Sequence, residues 1–127
     1  MSDTTTKGVQ VQASSRYVPE RSEPAKQEFF FTYEVRIRNL GSGPVKLQAR
    51  HWIITDAFGN AQHVRGPGVV GAQPRLEPGD SFEYQSSCPL STPHGSMRGS
   101  FRMVTDDGDS FDAEIGSFAL SVPEAQN

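Results

Sequence analysis

Phe29-Phe-Phe-Thr-Tyr-Glu-Val-Arg-Ile-Arg-Asn39 is the stretch on which the fold turns. Phe29, Phe31, Tyr33, Val35 and Ile37 fall on one face of an extended chain, and Thr32, Glu34, Arg36 and Arg38 on the other. A period of two marks a strand with one buried and one solvated face. Upstream, Val9-Gln-Val11-Gln repeats the alternation, and the polar segment 21–27, with Pro24 inside it, predicts a loop. Downstream, Asn39-Leu-Gly-Ser-Gly-Pro44 has the composition of a turn. Residues 45–56 predict the next strand, which opens with Val45, Leu47 and Ala49 inward and Lys46, Gln48 and Arg50 outward. Its phase then breaks, because Trp52 and Ile54 compete with His51 and Ile53 for the core. A bulge or a crossing between sheets resolves that conflict.

Further along, 56–60 and 76–80 predict turns, 81–86 a short strand and 89–99 a long loop. Strands over 100–105 and 111–120 flank a hairpin at Asp106-Asp-Gly-Asp109. No amphipathic helix and no internal repeat is found. About seven short strands with a turn every ~10 residues predict an all-β, antiparallel β-sandwich of immunoglobulin or fibronectin type III kind. Residues 8–123 are expected to form one domain, with flexible termini at 1–7 and 124–127.

The chain has 127 residues, eight of them Phe, and a formal charge of −3. That length buries roughly two-thirds of the unfolded surface without a covalent staple. The charge is too mild to predict a nucleic-acid partner. No apolar run approaches the ~20 residues of a membrane span. Met1-Ser-Asp-Thr-Thr-Thr-Lys-Gly8 has no apolar stretch of the signal-peptide kind, so a cytoplasmic location is expected. Cys88 is the single cysteine, which rules out an internal disulfide and any cysteine-rich metal site. No cofactor is expected.

Gly66-Pro-Gly68-Val-Val-Gly71 spells G-x-G-x-x-G, the pattern of a dinucleotide-binding turn. That turn needs a helix whose N-terminus faces the pyrophosphate. Here Pro74 and Pro78 follow closely and oppose a helix. The Walker version fails as well, since no Gly-Lys pair occurs in the chain. The glycines are expected to supply unusual backbone angles in an irregular connection. An anion-binding nest of successive N–H groups, charged by Arg65 or Arg75, is the alternative.

Arg50-His-Trp52-Ile-Ile-Thr-Asp56, Gly66-x-Gly68-Val-Val-Gly71-x-Gln73-Pro74, Pro78-Gly79-x-x-Phe82-x-Tyr84 and Thr92-Pro93-x-Gly95-x-Met97-x-Gly99 resemble the bacterial ApaG family. The resemblance runs from about Val9 to Pro123, so 8–123 reads as an ApaG domain. Ser87 and Phe101 depart from the expected Gly and Tyr, and His51 stands where an aromatic is common. The resemblance implies a fibronectin-III-like sandwich, an association with cobalt resistance and magnesium efflux, and a genetic link to diadenosine tetraphosphate metabolism. Similar domains end a eukaryotic F-box protein and occur in a DNA-polymerase-delta-interacting protein, which implies an interaction module. No catalytic residue is established for the family.

Cys88 with His94 invites a nucleophile reading, but Pro89 removes the adjacent backbone N–H of an oxyanion hole, and no partnered acid follows. His51, His63 and His94 are too far apart for a local metal motif. Asp106, Asp107, Asp109 and Asp112 resemble a calcium loop but place Phe118 where its Glu belongs. Arg36, Arg38, Lys46 and Arg50 predict a basic stripe on two strands expected to pair.

The expected function is a non-enzymatic module that binds a protein partner, with no catalytic residue, nucleic acid or membrane span. Its candidate binding residues are His63, Arg65, Gly66, Gly68, Val69, Val70, Gly71, Gln73 and Arg75. An exposed apolar patch around Val69, Val70 and Leu76 would mark that role. Binding of a small phosphate ligand through the glycine loop, or weak binding of a divalent cation, are the alternatives.

Overall fold

The computed structural model describes residues 1–123. Nine strands run through it: β1 (Ser2–Thr6), β2 (Val9–Tyr17), β3 (Phe29–Asn39), β4 (Val45–Asp56), β5 (Ala61–Pro67), β6 (Arg75–Leu76), β7 (Ser81–Leu90), β8 (His94–Thr105) and β9 (Ser110–Ser121). Among the described residues, helical structure is limited to 3-10 turns at Pro19–Arg21 and Pro24–Lys26. No helix among the described residues is long and apolar enough to cross a membrane.

Two antiparallel sheets, ordered β1-β2-β3-β7 and β5-β4-β8-β9, with β6 extending the second beside β4, pack as an all-β sandwich. The alternation of β3 sends Phe31, Tyr33, Val35 and Ile37 into the core, where they meet Trp52, Phe101, Ile115 and Leu120 of the other sheet.

The phase conflict in β4 resolves as a bulge. The register against β8 shifts between Leu47 and Ala49. Leu47 and Trp52 are both buried although they lie an odd number of positions apart, which one extra residue in a strand allows.

Several expectations are corrected. Residues 1–7, expected as a flexible terminus, carry β1, which joins β2 through Lys7 (φ 47°) and Gly8 (φ 83°). Two positive φ angles in a two-residue loop match the right-handed twist of the paired strands. The β1 side of the sandwich is closed: Glu114 N donates to Thr6 Oγ1 (3.1 Å), and Ser15 Oγ to the Ala119 carbonyl (2.6 Å). The loop expected at 89–99 shrinks to residues 91–93, because β7 runs on to Leu90 and β8 starts at His94. Pro89 is tolerated because β7 is an edge strand. β3 and β4 lie in different sheets, so the expected basic stripe does not form, and Arg36 instead pairs with Glu83 (3.2 Å). The expected flexible segment 124–127 lies outside the described residues.

Candidate functional site

The glycine stretch bridges the β4 bulge. β5 pairs with β4 from Thr55 to Ala49, and β6 resumes at Lys46 and Val45, so 68–74 loops out where Gln48 interrupts the ladder. The Gln48 carbonyl accepts from Gly68 N and from Gln73 Nε2 (2.9 Å each), and Leu47 N donates to the Pro74 carbonyl (3.0 Å). Val69 and Ala72 exchange backbone hydrogen bonds of 2.8 Å around Val70 (φ 43°) and Gly71 (φ 80°). Val69 is buried under this tight hairpin.

Two glycines make room for neighbours. A Cβ on Gly66 would stand 2.9 Å from Arg50 Nη2, so the bare backbone is the seat of that guanidinium. A Cβ on Gly68, at φ 60°, would strike the Ala72 carbonyl. Arg50 Nη1 donates to the carbonyls of Pro67 (3.0 Å) and Gly68 (3.1 Å).

The candidate binding residues are therefore dispersed. The amides of Gly68, Val69 and Ala72 are engaged within the protein. Arg75 is held by Glu77 and Asp106, each at 2.9 Å. Of Val69, Val70 and Leu76, only Val70 is exposed, at 58 %, so the expected apolar patch is absent. Its parts were pulled under the loop because β6 carries Leu76 into the core.

His63 and Arg65 lie on the outer face of β5. There the His63 ring stacks on His51, with Nε2 of His51 2.9 Å from Nδ1 of His63. Partial burial lowers the His51 pKa, the Arg65 and His63 charges push it further down, and Asp112 opposes them. Its folded value thus lies below the ordinary 6.5, and the unfolded chain takes up the proton first as pH falls. His51 is expected to titrate below 6.5 by NMR. Stability should decline as pH falls below that value, and the decline should be smaller in His51→Asn, with urea midpoints at pH 7.5 and pH 5.5 as the check.

Cys88 is buried, and burial pushes its thiol up to about 11, which opposes a nucleophilic role. His94 bonds Ser121 (3.0 Å) and is not paired with it.

The bulge has a further consequence. It turns Arg50, expected outward, toward the space between the sheets, opposite Phe101. On this side β5 and β7 are both free edges, and a cleft of about 280 Å³ opens between them. Arg50, Trp52, Val64, Tyr33, Ser86 and Met97 are among its lining. Burial raises the pKa of Tyr33 and of Tyr84 behind it, and the Arg50 charge lowers both. Trp52 Nε1 and Tyr84 Oη are buried beside one another, close enough for the indole N–H to lower the Tyr84 pKa, but they form no well-aligned hydrogen bond among the described residues. Sequence reasoning missed this site. Its signal was the phase break in 45–56, which placed Arg50 and Trp52 on the same face.

A family model described as the ApaG domain matches residues 19–105. A "Protein ApaG" from Anaeromyxobacter dehalogenans (strain 2CP-C) is 55 % identical over all 127 residues, covering the whole of both chains. Another, from Methylobacterium radiotolerans, is 52 % identical over 121 residues, covering 95 % of this chain and 93 % of its own. Among solved structures, the ApaA protein of Bordetella pertussis superposes with a TM-score of 0.90 at 48 % identity, covering 96 % of this chain and 99 % of its own. The sandwich with its glycine-seated loop thus comes with relatives along its whole length, and the chain belongs to the ApaG domain family.

Proposed function

We propose that this ApaG domain is a non-enzymatic, cytoplasmic binding module that docks a protein partner through the hairpin tip at Val70. The strand order, β2-β3-β7 facing β5-β4-β8-β9, supports a reading as an immunoglobulin or fibronectin type III scaffold, on which loops at the sheet edges carry recognition.

One observation carries the proposal. Val70 is 58 % exposed at φ 43°, a backbone region that a β-branched residue occupies under strain. Asn or Gly would sit there without it. Strain of about 1–3 kcal/mol in an exposed side chain adds nothing to the core, and such strain gathers at sites of recognition. The hairpin is also rigid, being tied to Gln48 by two hydrogen bonds, so an apolar side chain is presented at low entropic cost. The cation-binding alternative has less support, since no three His, Cys, Asp or Glu side chains among the described residues come together to hold an ion.

Val70→Asn is expected to raise stability by about 1 kcal/mol through relief of strain, read from urea denaturation. In cells, a photo-crosslinking amino acid at position 70 should trap a discrete protein adduct that the same probe at Glu34, on the opposite sheet, does not. The same adducts at both positions would overturn the proposal, as would none at position 70. A Val70→Asn variant less stable than the parent would remove its premise.

A further inference from the structure

We propose that the cleft between β5 and β7 is a binding site for a small organic carboxylate, distinct from the Val70 tip. The carboxylate is held by Arg50 and Trp52, and the apolar body of the ligand lies against Val64, Ile54 and Met97.

The charge of the cleft selects an anion. Arg50 is its one charged lining residue among those described, and none of the described Asp or Glu residues lines it. The guanidinium is also preorganised: it rests on the bare Gly66 backbone, and its Nη1 is anchored by the carbonyls of Pro67 and Gly68. Nε and Nη2 carry no hydrogen bond to the described residues, so the planar fork retains donors for a carboxylate.

The second argument is an unmet need. Trp52 is 2 % exposed and lines the cleft, and its indole N–H has the Tyr84 hydroxyl beside it without forming a well-aligned hydrogen bond. A buried donor met only by a poorly aligned acceptor is costly, so a better-placed partner is favoured at the site. Indole donates only, so that partner is an acceptor.

Apolar side chains supply the remainder of the wall. Val64 and Ile54 enter from the second sheet and Met97 from the floor, while Ser86 and Tyr33 bring hydroxyls from the first sheet. The volume lies at the lower edge of the ~300–1,000 Å³ usual for small-molecule pockets. A single guanidinium matches the one charge of a carboxylate, whereas a phosphate carries up to two. A folded partner could not enter a space this size.

The chain has one tryptophan, so a ¹H–¹⁵N spectrum contains a single indole cross-peak, and it belongs to the proposed site. Benzoate titrated to millimolar concentration is expected to move that peak saturably, while neutral benzamide leaves it unmoved. Arg50→Gln should weaken the benzoate response by about tenfold or more, the scale of a lost charge-assisted hydrogen bond. Because Arg50 also ties down the glycine loop, Val64→Phe serves as a second variant. It fills the cleft from the edge strand, leaves Arg50 in place and should abolish the response. Equal shifts with benzamide would overturn the proposal. So would saturation by inorganic phosphate alone, a peak that benzoate does not move, or an unchanged response in Val64→Phe.

Discussion

Gly68→Ala is expected to cost about 2–4 kcal/mol, a large share of the ~5–15 kcal/mol that holds a domain of this size together. Two penalties combine. At φ 60° an alanine pays for the left-handed conformation. Its Cβ would also collide with the Ala72 carbonyl. That carbonyl has nowhere to go, since it accepts from Val69 N, and the loop beyond it is tied to Gln48 and Leu47. Relief requires breaking those bonds and uncovering Val69, which is 1 % exposed. Gly71→Ala separates the two effects, because Gly71 also has positive φ (80°) but nothing stands within 4 Å of its added Cβ. It should lose only about 1 kcal/mol, the backbone part alone. Urea midpoints of the two variants decide the matter. Equal losses would mean that position 68 needs the backbone angle and not the close approach.

The glycine motif shows where sequence reasoning succeeds and where it stops. Two following prolines excluded a dinucleotide turn, and the structure agrees: 68–74 is an excursion between β5 and β6. What the sequence could not display is the opposite wall, namely the bulge at Gln48 and the Arg50 guanidinium seated on Gly66. β3 was legible from end to end because one face meets the core and the other water, which writes the period of two into its residues. β1 was not legible. Ser-Asp-Thr-Thr-Thr offers no apolar alternation, and its edge position asks for none. The stretch 89–99 misled for a different reason. Its Gly95 and Gly99 suggest a loop, yet they lie in the central strand β8, where a Cβ would strike the carbonyls of Thr55 and His51. Glycine there permits close approach of strands, a use that composition alone does not distinguish from a turn.

The same limit applied to Arg50 and Trp52. Arg50 was placed outward by counting from Val45 and the face of Trp52 stayed open, and one unseen extra residue moved Arg50 from the solvent to the cleft. Register errors of this kind carry every residue beyond them, so a missed bulge costs more than a missed turn.

Trp52 supplies the second large effect. Its ring is 2 % exposed and stands edge-on to Tyr33, Phe118 and Phe101, with centroids 5.2, 6.0 and 6.1 Å away. Truncation to alanine empties the junction of the two sheets, and Trp52→Ala is expected to lose about 3–5 kcal/mol. Trp52→Phe should behave very differently. It keeps a ring for the edge-on contacts and discards the indole N–H, which makes no well-aligned hydrogen bond among the described residues. Removing an unsatisfied buried donor recovers about 1–3 kcal/mol, enough to offset much of the lost contact area. The phenylalanine variant should therefore unfold within about 1.5 kcal/mol of the parent, and far-UV circular dichroism is the right monitor because the only tryptophan is gone. If it instead loses nearly as much as the alanine variant, the indole N–H is satisfied in solution, by the neighbouring Tyr84 hydroxyl or by a bound water. A carboxylate entering the cleft would then have to displace that partner from Trp52.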